Sequence, residues 1–455
     1  MSGLFWILLG VKFCEAQSTQ NVNKEPLTRI LFIFDASNSM WGTWQSDKKI
    51  HIANRLLSKM IDSLENYDNL ELALRVYGHQ YDFRQNDCSD TKLEVPFAAN
   101  NFDKIKQKLR TITPKGMTPI SLSLQACAAD FPTTENCRNI VILITDGIEE
   151  CLSDPCEVSK SLQSKGIILK PFIIGIGADF SKNLECAGQY LDAGSEISFD
   201  NALGIVIQQI FNKTTAQVNL LDANGLPTES NVNMTFFNDI SHEVKYRYIH
   251  TFNPRGLPDT LYLDPMVEYG LKVHTIPPVE VHGIQLTAGK HTIIPVDVPQ
   301  GNLLVRIAPK SNKYQNVPIL VRESGKSEII NVQYFYKADK YLTGKYDIEI
   351  LCLPRLKMRN ISISQSYTTA IELQSPGIAV IKKNELGFGS LYHINEGKDE
   401  WIYNLREEDI QESILLQPGK YRILFRKNRE YQTINTREVV FTIKSDETTN
   451  VIIPR

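Results

Sequence analysis

Apolar positions fall into two rhythms along the chain, and the change comes near residue 212. In the first stretch, "RILFIFD" (29–35) and "NIVILITDG" (139–147) are continuously apolar, as strands buried on both faces of a parallel sheet must be. "LELALRVYG" (70–78) predicts a second strand and "TKLEVPF" (91–97) a short third, with Pro96 marking an edge. "ILKPFIIGIG" (168–177) and "ISFD" (197–200) complete the predicted strands. Between them, Ile50, Ala53, Leu57, Met60, Ile61 and Leu64 recur at steps of three and four, which is one helical face. Further helices are predicted over 100–109, 119–131, 155–165, near 183–192 and over 202–211. Strands alternating with helices predict an α/β fold, a doubly wound, mostly parallel sheet over 28–212.

After 212 the helical period is gone. Short alternating strands are punctuated by turn signals such as "DANG", "NPRG", "PQG", "SPG" and "QPG". Tyr269, Tyr346 and Tyr421 each open an alternating strand after a turn bearing Pro or Gly, 77 and 75 residues apart. The reading is three antiparallel, sandwich-like β units, at 213–298, 299–376 and 377–455. The chain has 455 residues, more than a single core of ~250–300 residues holds, which agrees with several domains.

Charge changes the picture by exclusion. A net charge of −3, with 22% charged residues, argues against a nucleic-acid partner, and alternation puts the charges of the basic run 420–429 mostly on a solvated face and a turn. The N-terminus, "MSGLFWILLGVKFCEAQS", has an apolar run and small residues at Cys14 and Ala16, so residues 1–16 are read as a signal peptide and 17–27 as a linker. The leader lacks Lys or Arg in its first residues, and Lys12 interrupts its apolar part. No later run reaches the ~20 apolar residues of a membrane span. The expected location is secreted, periplasmic or cell surface.

Six cysteines, Cys88, Cys127, Cys137, Cys151, Cys156 and Cys186, lie within one hundred residues, which in an exported chain reads as disulfides. A zinc site is the weaker reading, because the Cys151–Cys156 spacing has no second pair or nearby histidine. Cys127 and Cys137 flank the turn into the strand near Asn139 and are expected to pair. The other four belong to rim loops and allow three connectivities, of which Cys151–Cys156 with Cys88–Cys186 is preferred.

In a doubly wound sheet the ligand site lies beyond the carboxyl ends of the strands. Asp35, Ser37 and Ser39 leave the first strand, Asp146 leaves "VILIT", and Thr118 sits on a loop before a helix. Two carboxylates and three hydroxyls from three loops are all oxygen donors, as a hard cation such as Mg²⁺ requires. This D-x-S-x-S, lone threonine and later aspartate resemble the metal-ion-dependent adhesion site of the von Willebrand factor type A family, over about 28–212. "RVYGH", "NDC", "TDGIEEC" and "DPC" look more narrowly like secreted bacterial members with cysteines at the rim. Asn38 stands where many members have glycine.

The resemblance implies that Ser37, Ser39 and Thr118 bind the metal directly, while Asp35 and Asp146 act largely through water. It implies Mg²⁺, with Mn²⁺ or Ca²⁺ as alternatives, and a protein partner that offers an Asp or Glu. Trp41, Trp44 and His79 lie near the rim and are candidates for partner contact, with packing roles as the bland alternative. No H-E-x-x-H, G-x-S-x-G or P-loop pattern is present, so no catalytic residue is assigned. The expected function is a metal-dependent binding module. A structural envelope or surface protein that binds through its β units, with a vestigial metal site, is the alternative, and a metal-dependent hydrolase comes third. Oligomeric state is not readable from the sequence.

Overall fold

The computed structural model describes residues 26–133, 137–151 and 153–454. The signal peptide expected at 1–16 and nearly all of the linker at 17–27 lie outside the described residues. The chain divides into two units, the first ending at Phe211 and the second starting at Asn212.

The first unit is built on one sheet. Its strands are β1 (Leu27–Asp35), β2 (Leu70–Tyr77), β3 (Thr91–Ala98), β4 (Cys137–Thr145), β5 (Phe172–Ile176) and β6 (Gln189–Ala193), in the order β3-β2-β1-β4-β5-β6. All neighbours are parallel except β3, which runs antiparallel to β2 at one edge. Pro96 thus sits where a missing N–H is tolerated. The helices are α1 (Lys49–Leu64), α2 (Phe102–Thr111), α3 (Ile120–Asp130), α4 (Pro155–Ser164), α5 (Ser181–Leu184) and α6 (Glu196–Phe211).

β1 lies inside the sheet because both of its faces are apolar. Leu31 and Ile33 pack in one core with Leu124 and Cys127 of α3, Val141 of β4 and Leu162 of α4. Ile30, Phe32 and Phe34 point to the other face and are equally shut off from water. Each such side chain contributes about 1.5–3 kcal/mol on burial, so an edge position would forfeit one whole face. Strand order reverses between β1 and β4. The carboxyl ends of these two strands therefore open one crevice, the usual ligand position in such sheets.

Two elements differ from the sequence reading. The helix expected near 183–192 is the single turn α5, and Gln189–Ala193 instead pairs with β5 as strand β6. The run 197–200, expected as a strand, lies within α6. Phe199, Ala202, Leu203, Val206 and Ile210 form its buried stripe, and Ser195 and Ser198 exchange side-chain-to-backbone hydrogen bonds at its start. That longer periodic stripe outweighs the strand propensity of Ile197 and Phe199.

The second unit repeats one arrangement. A four-stranded and a three-stranded sheet recur three times, and the third strand of each four-stranded sheet is Tyr269–Val273, Gly344–Ile350 or Gly419–Lys427. Residues of both sheets share a core, as with Leu303, Val305, Val321 and Ile348 in the middle set, which is sandwich packing. Tyr269, Tyr346 and Tyr421 are buried at matching places. Tyr346 and Tyr421 each donate to the carbonyl four residues upstream, at Leu342 and Gln417, while Tyr269 Oη accepts the Asp264 amide. A buried phenol needs such a partner.

Candidate metal centre

The crevice is organised by Asp35, which is fully buried at the end of β1. Its Oδ1 accepts the Ser37 amide at 2.7 Å, and its Oδ2 accepts the Thr145 hydroxyl at 2.8 Å and the Asp146 amide at 3.3 Å. Tyr77 Oη donates to Thr145 Oγ1 at 3.0 Å. This network fixes the exits of β1 and β4 relative to one another. Burial, and next the charge of Asp146, push the Asp35 carboxyl up to about 6, against opposing hydrogen bonds from Ser37 and Thr145. Burial and the Asp35 charge also push the Tyr77 phenol upward. Two carboxylates this close in a dry site favour any cation that can reach them.

The hydroxyls line up beside them. Ser39 Oγ donates to Asp146 Oδ1 at 2.6 Å, and Ser37 Oγ lies 2.9 Å from Ser39 Oγ. Asp35, Ser37, Ser39 and Asp146 thus form one connected set. Thr118 is buried on the loop before α3, and its Oγ1 lies 3.8 Å from where a Cβ on Gly147 would sit, so it stands beside the residue after Asp146. Asn38 opens a 3-10 turn, Asn38–Trp41, without a left-handed φ, so glycine is not needed there.

Backbone bonds stitch the loops together. The Asn38 amide donates to Gly116 O, Lys115 to Ala36 O and Gly116 to Gly78 O. Gly78 has φ +69°, and a Cβ there would lie 2.7 Å from the backbone of Ser37 and Met117. Only glycine allows that approach.

Several residues at the centre escape a search for the five-residue pattern. Lys49 Nζ lies 2.7 Å from Asp146 Oδ2. Glu150 Oε2 accepts the Thr118 amide at 3.0 Å, and Glu149 Oε2 accepts the Ser121 amide at 2.6 Å, at the start of α3. Asp90, fully buried, accepts the amides of Gln80 and Tyr81 and sits under Gly116. The acid pair in "TDGIEEC" was a readable signal for Glu149 and Glu150. A carboxylate is favoured at a helix start.

The proposed rim divides. Trp41 is 41% exposed, donates Nε1 to Pro114 O and meets His51 edge-on. Trp44 is buried and donates to Gly194 O, and the half-buried His79 side chain lies 2.9 Å from Glu94 Oε1. Packing buries Trp44, leaves Trp41 exposed and holds the half-buried His79 at Glu94.

Cysteine pairing also needs correction. The bridges are Cys88–Cys151 and Cys156–Cys186, not Cys151–Cys156 with Cys88–Cys186. The bridge Cys88–Cys151 instead ties the Glu149–Glu150 loop to the segment before β3. Cys127 is a buried free thiol in α3 donating to Ser123 O, so the expected Cys127–Cys137 bridge is absent. Its side chain faces the core of Leu31 and Val141 and packs as a small hydrophobe.

Among the described residues no group of three or more His, Cys, Asp and Glu is placed to hold a metal. The oxygen-bearing side chains at the crevice are of another kind, three hydroxyls and two carboxylates. Their chemistry fits a hard divalent cation: every donor is oxygen, and Asp146 already draws an ammonium group.

Residues 30–213 match the von Willebrand factor type A domain. Two Bacillus subtilis (strain 168) proteins, both named as uncharacterized, are similar to this chain. YwmD is 29% identical over 194 residues, covering 39% of this chain and 84% of that protein. YwmC is 27% identical over 187 residues, covering 40% and 79%. Among solved structures, an aerotolerance-related membrane protein from Bacteroides fragilis is 20% identical, with TM-score 0.31, 39% of this chain covered and 96% of that one. The pilus adhesin SpaC from Lactobacillus rhamnosus GG is 9% identical, with TM-score 0.35 and coverages of 95% and 87%. A mussel byssus thread matrix protein with a zinc-occupied adhesion site is 18% identical, with TM-score 0.34 and coverages of 40% and 45%. At these scores the structural likenesses carry no functional argument. No helix among the described residues is long and apolar enough to cross a membrane.

Proposed function

We propose that the type A domain is a metal-dependent binding module that captures a carboxylate of a protein partner. The observation that carries this reading is the connected set Asp35, Ser37, Ser39 and Asp146, with Thr118 beside Gly147, the residue after Asp146. A bound divalent cation would supply an electrophilic position for an anion. Ser37, Ser39 and Thr118 would hold it through neutral hydroxyls, which leave its charge largely intact. Asp35 and Asp146 orient those hydroxyls and the loop amides. Trp41 offers apolar area beside the crevice. Mg²⁺ is the proposed ion, since oxygen-only donors suit it. Two disulfides in the first unit support export to an oxidising compartment.

The test is capture of partners from an envelope extract by the full chain, in Mg²⁺ against EDTA. Partners lost in EDTA, and lost again when one of their interface acids becomes its amide, support the reading. Capture that persists in EDTA would move the binding to the β units. There, cavities of about 320 Å³ at Phe388, Tyr392, Asn404 and Arg426 and of about 330 Å³ at Met234, Thr235, Arg247 and Tyr248 are places to look.

A further inference from the structure

The cation on Asp146 belongs to the chain itself. Lys49 is the first residue of α1, where the positive end of the helix dipole disfavours a lysine. Its ammonium nevertheless turns into the crevice and lies 2.7 Å from Asp146 Oδ2, while Asp146 Oδ1 takes the Ser39 hydroxyl. The Asp146 side chain has no exposure and that of Lys49 only 21%. The stem is held in a slot. A Cβ on Gly177 would lie 3.4 Å from Lys49 Cε, and one on Gly42 would lie 3.6 Å from it. The Lys49 amide donates to Gly42 O at 2.9 Å, which fixes where the side chain starts. A lysine set against the helix dipole, threaded between two glycines and aimed at a buried carboxylate is a built contact, unlike a surface pair.

From this we infer that Lys49 is a tethered counter-cation, which occupies Asp146 when no metal is present and weakens divalent-cation binding by competing for that carboxylate. The inference rests on the metal reading proposed for the same crevice. Without Lys49, two carboxylates would face each other in the dry site with no positive charge against them. With Lys49, an incoming ion meets a site already partly neutralised, and Asp146 must be shared or released. The centre would then load only where divalent cations are plentiful and stay closed where they are scarce.

The test titrates the full-length protein and its Lys49→Met variant with MgCl₂ and MnCl₂ by calorimetry. Lys49→Met keeps the stem and removes the charge. The expected result is at least tenfold tighter binding by the variant, which is about 1.4 kcal/mol. Equal or weaker binding by a folded variant overturns the inference. A second arm needs no variant. An amine-reactive reagent, read at Lys49 by peptide mass spectrometry, should label the wild-type chain several-fold more in Mg²⁺ than in EDTA. Metal heat with unchanged labelling overturns the inference and leaves the metal reading standing. No heat from either protein overturns the metal reading and takes this inference with it.

Discussion

Gly78→Ala places one methyl group where the structure has no room for it. Gly78 ends the exit of β2 with φ +69°, and a Cβ there would lie 2.7 Å from the Ser37 backbone N and Cα and from Met117 O. The left-handed conformation costs a non-glycine residue about 1–2 kcal/mol. The overlap is with backbone, which cannot rotate away, and overpacking of this kind adds about 1–3 kcal/mol. The first unit should therefore lose about 2–5 kcal/mol. All α-helices among the described residues lie in this unit, so its urea unfolding is read from the helical circular-dichroism signal. Stabilisation by Mg²⁺ should fall as well, because Ser37 and the Thr118 loop are the parts pushed apart. Gly225→Ala is the contrast: φ is +74° but nothing lies within 4 Å, so only the conformational cost of about 1–2 kcal/mol applies, in the other unit. A Gly78→Ala protein with an unchanged urea midpoint and unchanged response to Mg²⁺ would refute the close approach of these loops.

Other consequences follow from buried charge and sulfur. Asp130→Asn leaves the Arg75 guanidinium, now held by two bonds of 2.6 and 2.7 Å, without its counter-charge. Urea unfolding should show a loss of about 3–5 kcal/mol. Burial would raise the Glu94 carboxyl, yet Lys108, His79 and Lys92 hold it down to about 2. A depressed acid stabilises above its unfolded value and loses that contribution as pH falls through its folded value. Glu94→Gln should flatten the stability profile between about pH 5 and pH 2 by about 1–2 kcal/mol, allowing for the exposure of the two lysines. An unchanged acid limb would count against the cluster. Non-reducing peptide mapping should return Cys88–Cys151 and Cys156–Cys186. Cys127, whose thiol burial pushes upward, should label only after unfolding.

What the sequence told depended on the range of each signal. The continuous apolar runs at 29–35 and 139–147 announce interior strands, and both are interior. Placing Asp35 and Asp146 at their ends needed only the rule for open sheets, and these residues do meet. The stretch 183–200 is ambiguous in sequence because a short strand and a helix start share residues such as Ile197 and Phe199, and only the full stripe to Ile210 separates them. Lys49 was hidden because its partner lies ninety-seven residues away. A lysine opening a helix was the one local oddity that could have flagged it. The disulfides went wrong because pairing depends on which loops the fold brings together. Cys88 and Cys151 have Cα atoms 5.9 Å apart across a separation of 63 residues, which no spacing rule gives.

The most direct test of the centre is the stability of the full chain with and without metal. Thermal and urea unfolding of the first unit, read by its helical signal, should be compared in Mg²⁺ and in EDTA. At about 100 times its dissociation constant, Mg²⁺ should stabilise the native unit by about 2.7 kcal/mol, and Ser39→Ala or Thr118→Ala should abolish the gain. Identical midpoints for the wild-type chain in Mg²⁺, Mn²⁺, Ca²⁺ and EDTA would contradict a working cation site at Asp35, Ser37, Ser39, Thr118 and Asp146.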